Sequence, residues 1–129
     1  MTCKTYNGFS PAQRRAGHIA LNKALAAGIV PSPSDCSVCG AQPEKPLGWH
    51  SEDYRTPFGA YAVCWRCHHA IHIRFRRPAY WKNHVSKLDP DGWFQALSLD
   101  PETLTRPFDE TYPNGLTAAG GVLKPLPIY

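Results

Sequence analysis

Four of the five cysteines stand as two Cys-x-x-Cys pairs, Cys36-Ser37-Val38-Cys39-Gly40 and Cys64-Trp65-Arg66-Cys67, with twenty-four residues between them. A two-residue gap lets both sulfurs of a pair face one ion, and two such pairs supply the tetrahedral thiolate set that zinc prefers. Gly40 lets the first pair turn tightly enough for backbone amides to face the thiolates. Four cysteines close the coordination sphere, so a Zn2+ held there is read as structural. An iron-sulfur centre fits the same spacing, but nothing else in the chain suggests electron transfer. Cys3 reads as a spare thiol. An odd count with this pairing points to a reducing, cytoplasmic setting and away from a disulfide framework.

Three imidazoles, His68, His69 and His72, follow the second pair directly. His68 and His72 are four apart, a spacing that on a helix puts both rings on one face, where they can chelate one metal. His50, in the preceding segment, offers a third ligand. The alternative is one histidine packed beside the zinc knuckle with the others in solvent.

The elements that must position these groups are short, because 129 residues hold 13 prolines and 10 glycines. One modest domain is expected, and a regular helical bundle is not. Ser10-Pro11-Ala12-Gln13 reads as a capping box opening a helix that runs to about Ala27. Ala16, Ile19, Ala20, Leu21, Ala24 and Leu25 make its apolar stripe, with Arg14, Arg15 and Lys23 beside it and Gly28 as its left-handed stop. Pro31 to Ser34 reads as a stiff linker. Leu47 to His50 and Ala60 to Val63 have the composition of a small hairpin. Helical patterns follow over His68 to Arg77 and Ala79 to Leu88, with Pro78 between them. Asp89-Pro90 and Asp100-Pro101 read as caps of short helices around Trp93, Phe94 and Leu97 and near Leu104. The division is 1–34 (basic helix and linker), 35–88 (zinc-knuckle core with basic helices) and 89–129 (acidic, Pro/Gly-rich extension). In the last segment Tyr112, Leu116, Val122, Leu123, Leu126, Ile128 and Tyr129 are apolar enough to wrap the domain or form a homodimer. No membrane span or signal-peptide core is legible.

The net charge of +4 is segmented. Residues 1–34 hold four Lys/Arg and no carboxylate, 54–88 hold seven and none, and the acidic residues fall in 35–53 and 89–129. Arg66, Arg74, Arg76, Arg77 and Lys82, interleaved with Phe75, Tyr80 and Trp81, form a candidate phosphate-tracking surface. A solvated basic face is the alternative, and Phe75 and Trp81 are expected in the core. DNA is the expected partner.

The order Cys-x-x-Cys, His-bearing strand, Cys-x-x-Cys-His with a further His one turn on resembles the zinc-stapled HNH, or ββα-metal, nucleases. It is most similar to small phage and prophage HNH-like proteins, with a basic helix, a Cys-x-x-Cys-Gly knuckle, a His-His-x-Asp-Tyr-x-x-Pro segment and a Cys-x-x-Cys-His-x-x-x-His ending. The matching stretches are Arg14 to Gly28, Cys36 to Gly40, His50 to Pro57 and Cys64 to His72, about residues 10 to 75 in all. The resemblance implies an α+β fold, a ββα-metal core with N- and C-terminal helical extensions, in a bacterial or phage-infected cell. It also implies a second divalent ion (Mg2+, Mn2+, Ni2+ or Zn2+) at His50, His68 and His72, the positions for phosphodiester hydrolysis. Two departures stand out. Ser51 replaces the second histidine of the pair, and Gly59 to Val63 has no asparagine to brace the loop. Two registers remain open. Either His50 is the general base, with His68, His72 and Asp53 or Glu52 on the metal, and the protein can cut DNA, or His50 is a ligand, Ser51 takes the base position and the fold is kept for binding DNA or a protein. Glu52 and Asp53 read equally as turn residues that cap the hairpin or pair with Arg55.

Overall fold

Ser10 opens helix α1, Pro11–Ala26, as a capping box: its Oγ accepts the Gln13 amide at 3.2 Å and the Gln13 side chain accepts the Ser10 amide at 2.8 Å. Gly28, at φ +73°, ends it in the left-handed region. The computed structural model describes residues 4–30, 33–42 and 47–116. Cys3, Pro31 and Ser32 of the linker, and the tail residues Val122, Leu123, Leu126, Ile128 and Tyr129 lie outside the described residues.

The buried face of α1 is rotated from the expected stripe. Leu21 and Ala24 are buried, but Ile19 is 57% exposed, and Gly17 and His18 turn inward in place of Ala16 and Ala20. Tyr54 is the cause. Its ring and backbone lie against Gly17, where an added Cβ would stand 2.8 Å from the ring and 2.9 Å from the Tyr54 carbonyl oxygen. Arg14 Nε donates to the Tyr54 hydroxyl at 3.1 Å, so this arginine also faces inward.

Strands β1, Gly48–Ser51, and β2, Ala60–Val63, form an antiparallel hairpin in which His50 lies opposite Tyr61 and Ser51 opposite Ala60. β1 starts one residue later than its composition suggests. The alternation of a strand separates the two sides. Trp49 and Ala60 pack with Leu21, Ala24, Val30 and Phe58, whereas Tyr61 and Val63 join the larger core on the other face. Helix α2, Trp65–Ile73, starts directly after β2 with Cys64 as its N-cap, and α3, Pro78–Val85, takes Pro78 as its first residue.

The C-terminal segment is built of 3-10 turns at Trp93–Ala96 and Pro101–Leu104 and a one-turn helix α4, Phe108–Thr111. Asp100 caps as expected, accepting the Glu102 amide at 3.0 Å. Asp89 does not cap the first turn; it accepts the Asp91 amide at 2.9 Å, and Gly92 takes the cap position. Trp93 stacks on Tyr61 with ring centroids 3.7 Å apart and planes 6° apart. One hydrophobic cluster joins Tyr6 and Phe9, Val38, Tyr61 and Ile71, Trp81 and Val85, and Trp93, Phe108 and Tyr112, so all three sequence segments share a core. Helices around one two-stranded antiparallel sheet make the fold α+β.

Gly17→Ala tests the tight approach of Tyr54. In an exposed helix interior this change stabilises by about 1 kcal/mol. Here overpacking by about 1–3 kcal/mol is expected to prevail, giving a lower urea midpoint with an unchanged slope.

Candidate metal centres

The first centre sits where the hairpin leaves and re-enters the chain. Cys36 and Cys39 flank a tight turn in which the Gly40 amide donates to the Cys36 carbonyl at 2.9 Å, with Gly40 at φ +77°. Ser37 pins that turn to β2, its amide and hydroxyl both donating to the Ala62 carbonyl at 2.8 and 2.7 Å, and Trp93 Nε1 donates to Ser37 Oγ at 3.2 Å. Cys64 and Cys67 lie at the start of α2. All four sulfurs fall within 4.8 Å of one another, and Cys39 and Cys64 are 3.9 Å apart. Zinc–sulfur bonds of about 2.3 Å in a tetrahedron place sulfurs about 3.8 Å apart, so the set fits zinc.

Crowding four thiols together splits their acidities, and zinc binding releases the protons that remain. A hydrogen bond from Cys67 draws the Cys36 thiol down to about 4, against the opposing effect of burial and helped by the amides of Cys39, Cys64 and Val38. Cys67, which donates to that thiolate and is itself buried, is pushed up. His84 Nε2 lies 3.4 Å from Cys67 Sγ, an outer contact absent from the sequence expectation.

The second group is formed by His50 from β1 and His68 and His72 from α2, whose ligand atoms also lie within 4.8 Å of one another. The Nε2 atoms of His68 and His72 are 3.0 Å apart, as the four-residue spacing requires. His50 is 1% exposed, His68 is half-buried and His72 reaches solvent. Desolvation first, then the electrostatic influence of the neighbouring His50, brings His68 down to about 4 and His72 to about 3. Both rings are therefore neutral near pH 7, the state in which imidazole binds metal. His69 turns away, its ring edge-on to Trp65.

Of the two acidic neighbours only Glu52 joins this group. It is 1% exposed and its carboxylate contacts His50 Nε2, accepts from the Tyr6 hydroxyl, and accepts from Asn7 Nδ2 at 2.8 Å. Burial raises the Glu52 carboxyl, but the charge and hydrogen bond of His50, with Arg74 and Tyr6, outweigh it and bring it down to about 2. Asp53 is occupied by Arg55, whose Nε and Nη2 donate to its two oxygens at 2.9 and 3.0 Å. Strand alternation sends Ser51, which is 5% exposed, to the face opposite His50.

Arg74 corrects the expected DNA surface. It is 0% exposed, with Nε donating to the Ser98 carbonyl at 2.7 Å and Nη1 to the Ile71 carbonyl and the Tyr6 hydroxyl at 3.0 and 2.9 Å. It lies on the inner face of the turn that ends α2, one residue before the half-buried Phe75, on whose ring its guanidinium stacks at 4.1 Å. Arg66, Arg76, Arg77 and Lys82 are exposed, as are Trp65 at 66% and Tyr80 at 44%, while Trp81 is in the core.

Tyr6 and Asn7 are the site residues that sequence reasoning missed. They belong to a two-residue turn, Tyr6-Asn7-Gly8-Phe9, with a bridge between Tyr6 and Phe9 and positive φ at Asn7 (53°) and Gly8 (80°). Asn-Gly between aromatic residues is a hairpin signal, so the turn was legible although its partner was not.

The chain was compared with protein families, curated proteins and solved structures, and none of them matches it. The four-cysteine cluster is a site able to hold zinc, and no helix among the described residues is long and apolar enough to cross a membrane.

Cys36→Ser or Cys67→Ser is expected to remove about one zinc per chain relative to the unsubstituted protein, measured by elemental analysis. The near-UV circular dichroism of the packed aromatic cluster should be lost with it, and a strong chelator should produce the same spectrum from the unsubstituted protein.

Proposed function

We propose that this chain is an HNH-like, zinc-stapled DNA-binding protein that hydrolyses phosphodiester bonds at the His50, His68 and His72 centre. The observation that carries the reading is the convergence of these three side chains from a β-strand and the helix that follows it. A divalent ion bound there supplies Lewis-acid stabilisation of phosphate charge and an activated water. The three imidazoles leave coordination positions for phosphate and water, and the solvent-reaching edge of His72 is where a DNA strand gains access. His50 lies with the other two imidazoles, which supports the register in which it is a ligand; hydrolysis in that register departs from the expectation of binding alone and takes its nucleophile from metal-bound water in place of a side-chain base. Ser51, on the opposite face, is outside the chemistry. The exposed Arg66, Arg76, Arg77 and Lys82 follow the centre along α2 and α3, where guanidinium and ammonium groups hold phosphates without reading bases.

A second reading rests on that same Ser51. With a serine where the resembling proteins carry histidine, the chain binds DNA, or a protein, and does not cut. Plasmid nicking with magnesium, manganese, nickel or zinc decides between the two. Metal-dependent nicking that is abolished in His72→Ala and His50→Ala supports hydrolysis; its absence, or its persistence in both variants, leaves binding alone.

DNA affinity offers a separate check. Arg76→Ala with Arg77→Ala should weaken binding and flatten the dependence of log affinity on log salt by about one to two units. If affinity is unchanged, DNA does not bind at this surface.

A further inference from the structure

Glu52 is the only buried carboxylate among the described residues, and it is held from three directions. Asn7 Nδ2 donates to its Oε1 and to its backbone carbonyl, both at 2.8 Å. The Tyr6 hydroxyl donates to Oε2, the same oxygen that meets His50 Nε2. Behind Tyr6, Arg74 Nη1 donates to the hydroxyl oxygen at 2.9 Å, so one line of contacts runs Arg74, Tyr6, Glu52, His50. Its members come from the N-terminal turn, the end of β1 and the end of α2, up to 68 residues apart in sequence.

An arrangement of this kind is costly to bury for stability alone, since desolvating a carboxylate and a guanidinium consumes much of what their hydrogen bonds return. Its output is the position of one carboxylate oxygen against a histidine of the three-imidazole cluster. Imidazole ligands bring no negative charge to a divalent cation, and a carboxylate in contact with a ligand histidine raises ligand basicity and fixes ring orientation. We propose that Glu52 is the anionic member of the His50, His68 and His72 metal centre, and that Tyr6, Asn7 and Arg74 are the positioning residues that fix it there. The assignment rests on the reading that the three histidines bind a metal. It adds the group that sets how tightly they do so.

The test is a cobalt(II) titration of the full chain with its four-cysteine site filled with zinc. The unsubstituted protein should take up one further equivalent, with weak visible d–d bands and no thiolate charge-transfer band. Glu52→Gln, which keeps the shape and removes the charge, should retain its zinc and its circular dichroism while binding this second equivalent about 10- to 100-fold more weakly with shifted bands. Tyr6→Phe, which removes one donor only, should show a several-fold loss in the same direction, and it decides the matter should Glu52→Gln not fold. Equal affinity and identical bands in the folded variants overturn the Glu52 assignment and leave the histidine site standing. A wild-type protein that takes up no second equivalent overturns the histidine site itself, and the role of Glu52 falls with it.

Discussion

Convergence of four sulfurs from two distant turns is the constraint on which the rest of the fold depends. Cys39 and Cys64 are separated by twenty-four residues, and an ion held between them would close that loop around a hairpin of only two four-residue strands. Such a hairpin is marginal in water by itself. Cys64 follows β2 directly and caps α2, and Cys67, 0% exposed, points the first turn of α2 into the cluster. The phase of the helix is thereby set, and His68 is the next residue. Since His72 follows one turn later on the same face, the sulfur site determines which way both imidazoles point and brings them over His50 on the neighbouring strand.

The opposite end of α2 is fixed by a different means. Arg74 is drawn inward to Tyr6, Ile71 and Ser98, tying the helix end to the N-terminal turn and to the C-terminal segment. A guanidinium in this place serves as a three-way connector, because its planar fork reaches several acceptors at set angles. The N-terminal turn is held in return: the Gly8 amide donates to the Leu104 carbonyl at 3.1 Å, and an added Cβ on Gly8 would stand 2.8 Å from Pro107. The extensions on either side of the hairpin are thus parts of one packed unit.

Legibility in the sequence followed the range of the interactions. The capping box at Ser10, the tight turn at Gly40 and the four-residue histidine spacing are local, so residue types and intervals were enough to read them. The hairpin was readable to within a residue, because aromatic and β-branched content between glycines and prolines leaves few other choices. The α1 stripe was misread because Tyr54, nearly forty residues on, requires a glycine at position 17 and turns the helix to present it. Arg74 was misread for the same reason: adjacent basic residues look alike until a partner sixty-eight positions away takes one of them inward. Glu52 and Asp53 are neighbours with opposite fates. Strand alternation places one beside His50 and leaves the other to Arg55, and no composition argument distinguishes them.

The segmented charge of the sequence acquires a spatial meaning from the ion pairs. Arg55 engages both Asp53 and Asp109, and Arg106 engages both Asp100 and Glu102, so carboxylates of the acidic C-terminal segment are matched by arginines close at hand. Exposed pairs of this type contribute little to stability, but each reduces the field that its members project. Arg66, Arg76, Arg77 and Lys82 lie in a stretch of thirty-five residues, 54–88, that contains no carboxylate. Exposed positive charge without a neighbouring carboxylate in sequence is therefore carried by α2, α3 and the turn between them, as it is by the N-terminal segment. A net charge of +4 spread evenly over a surface would project only a weak field, whereas the same charge gathered in one stretch projects a stronger local one.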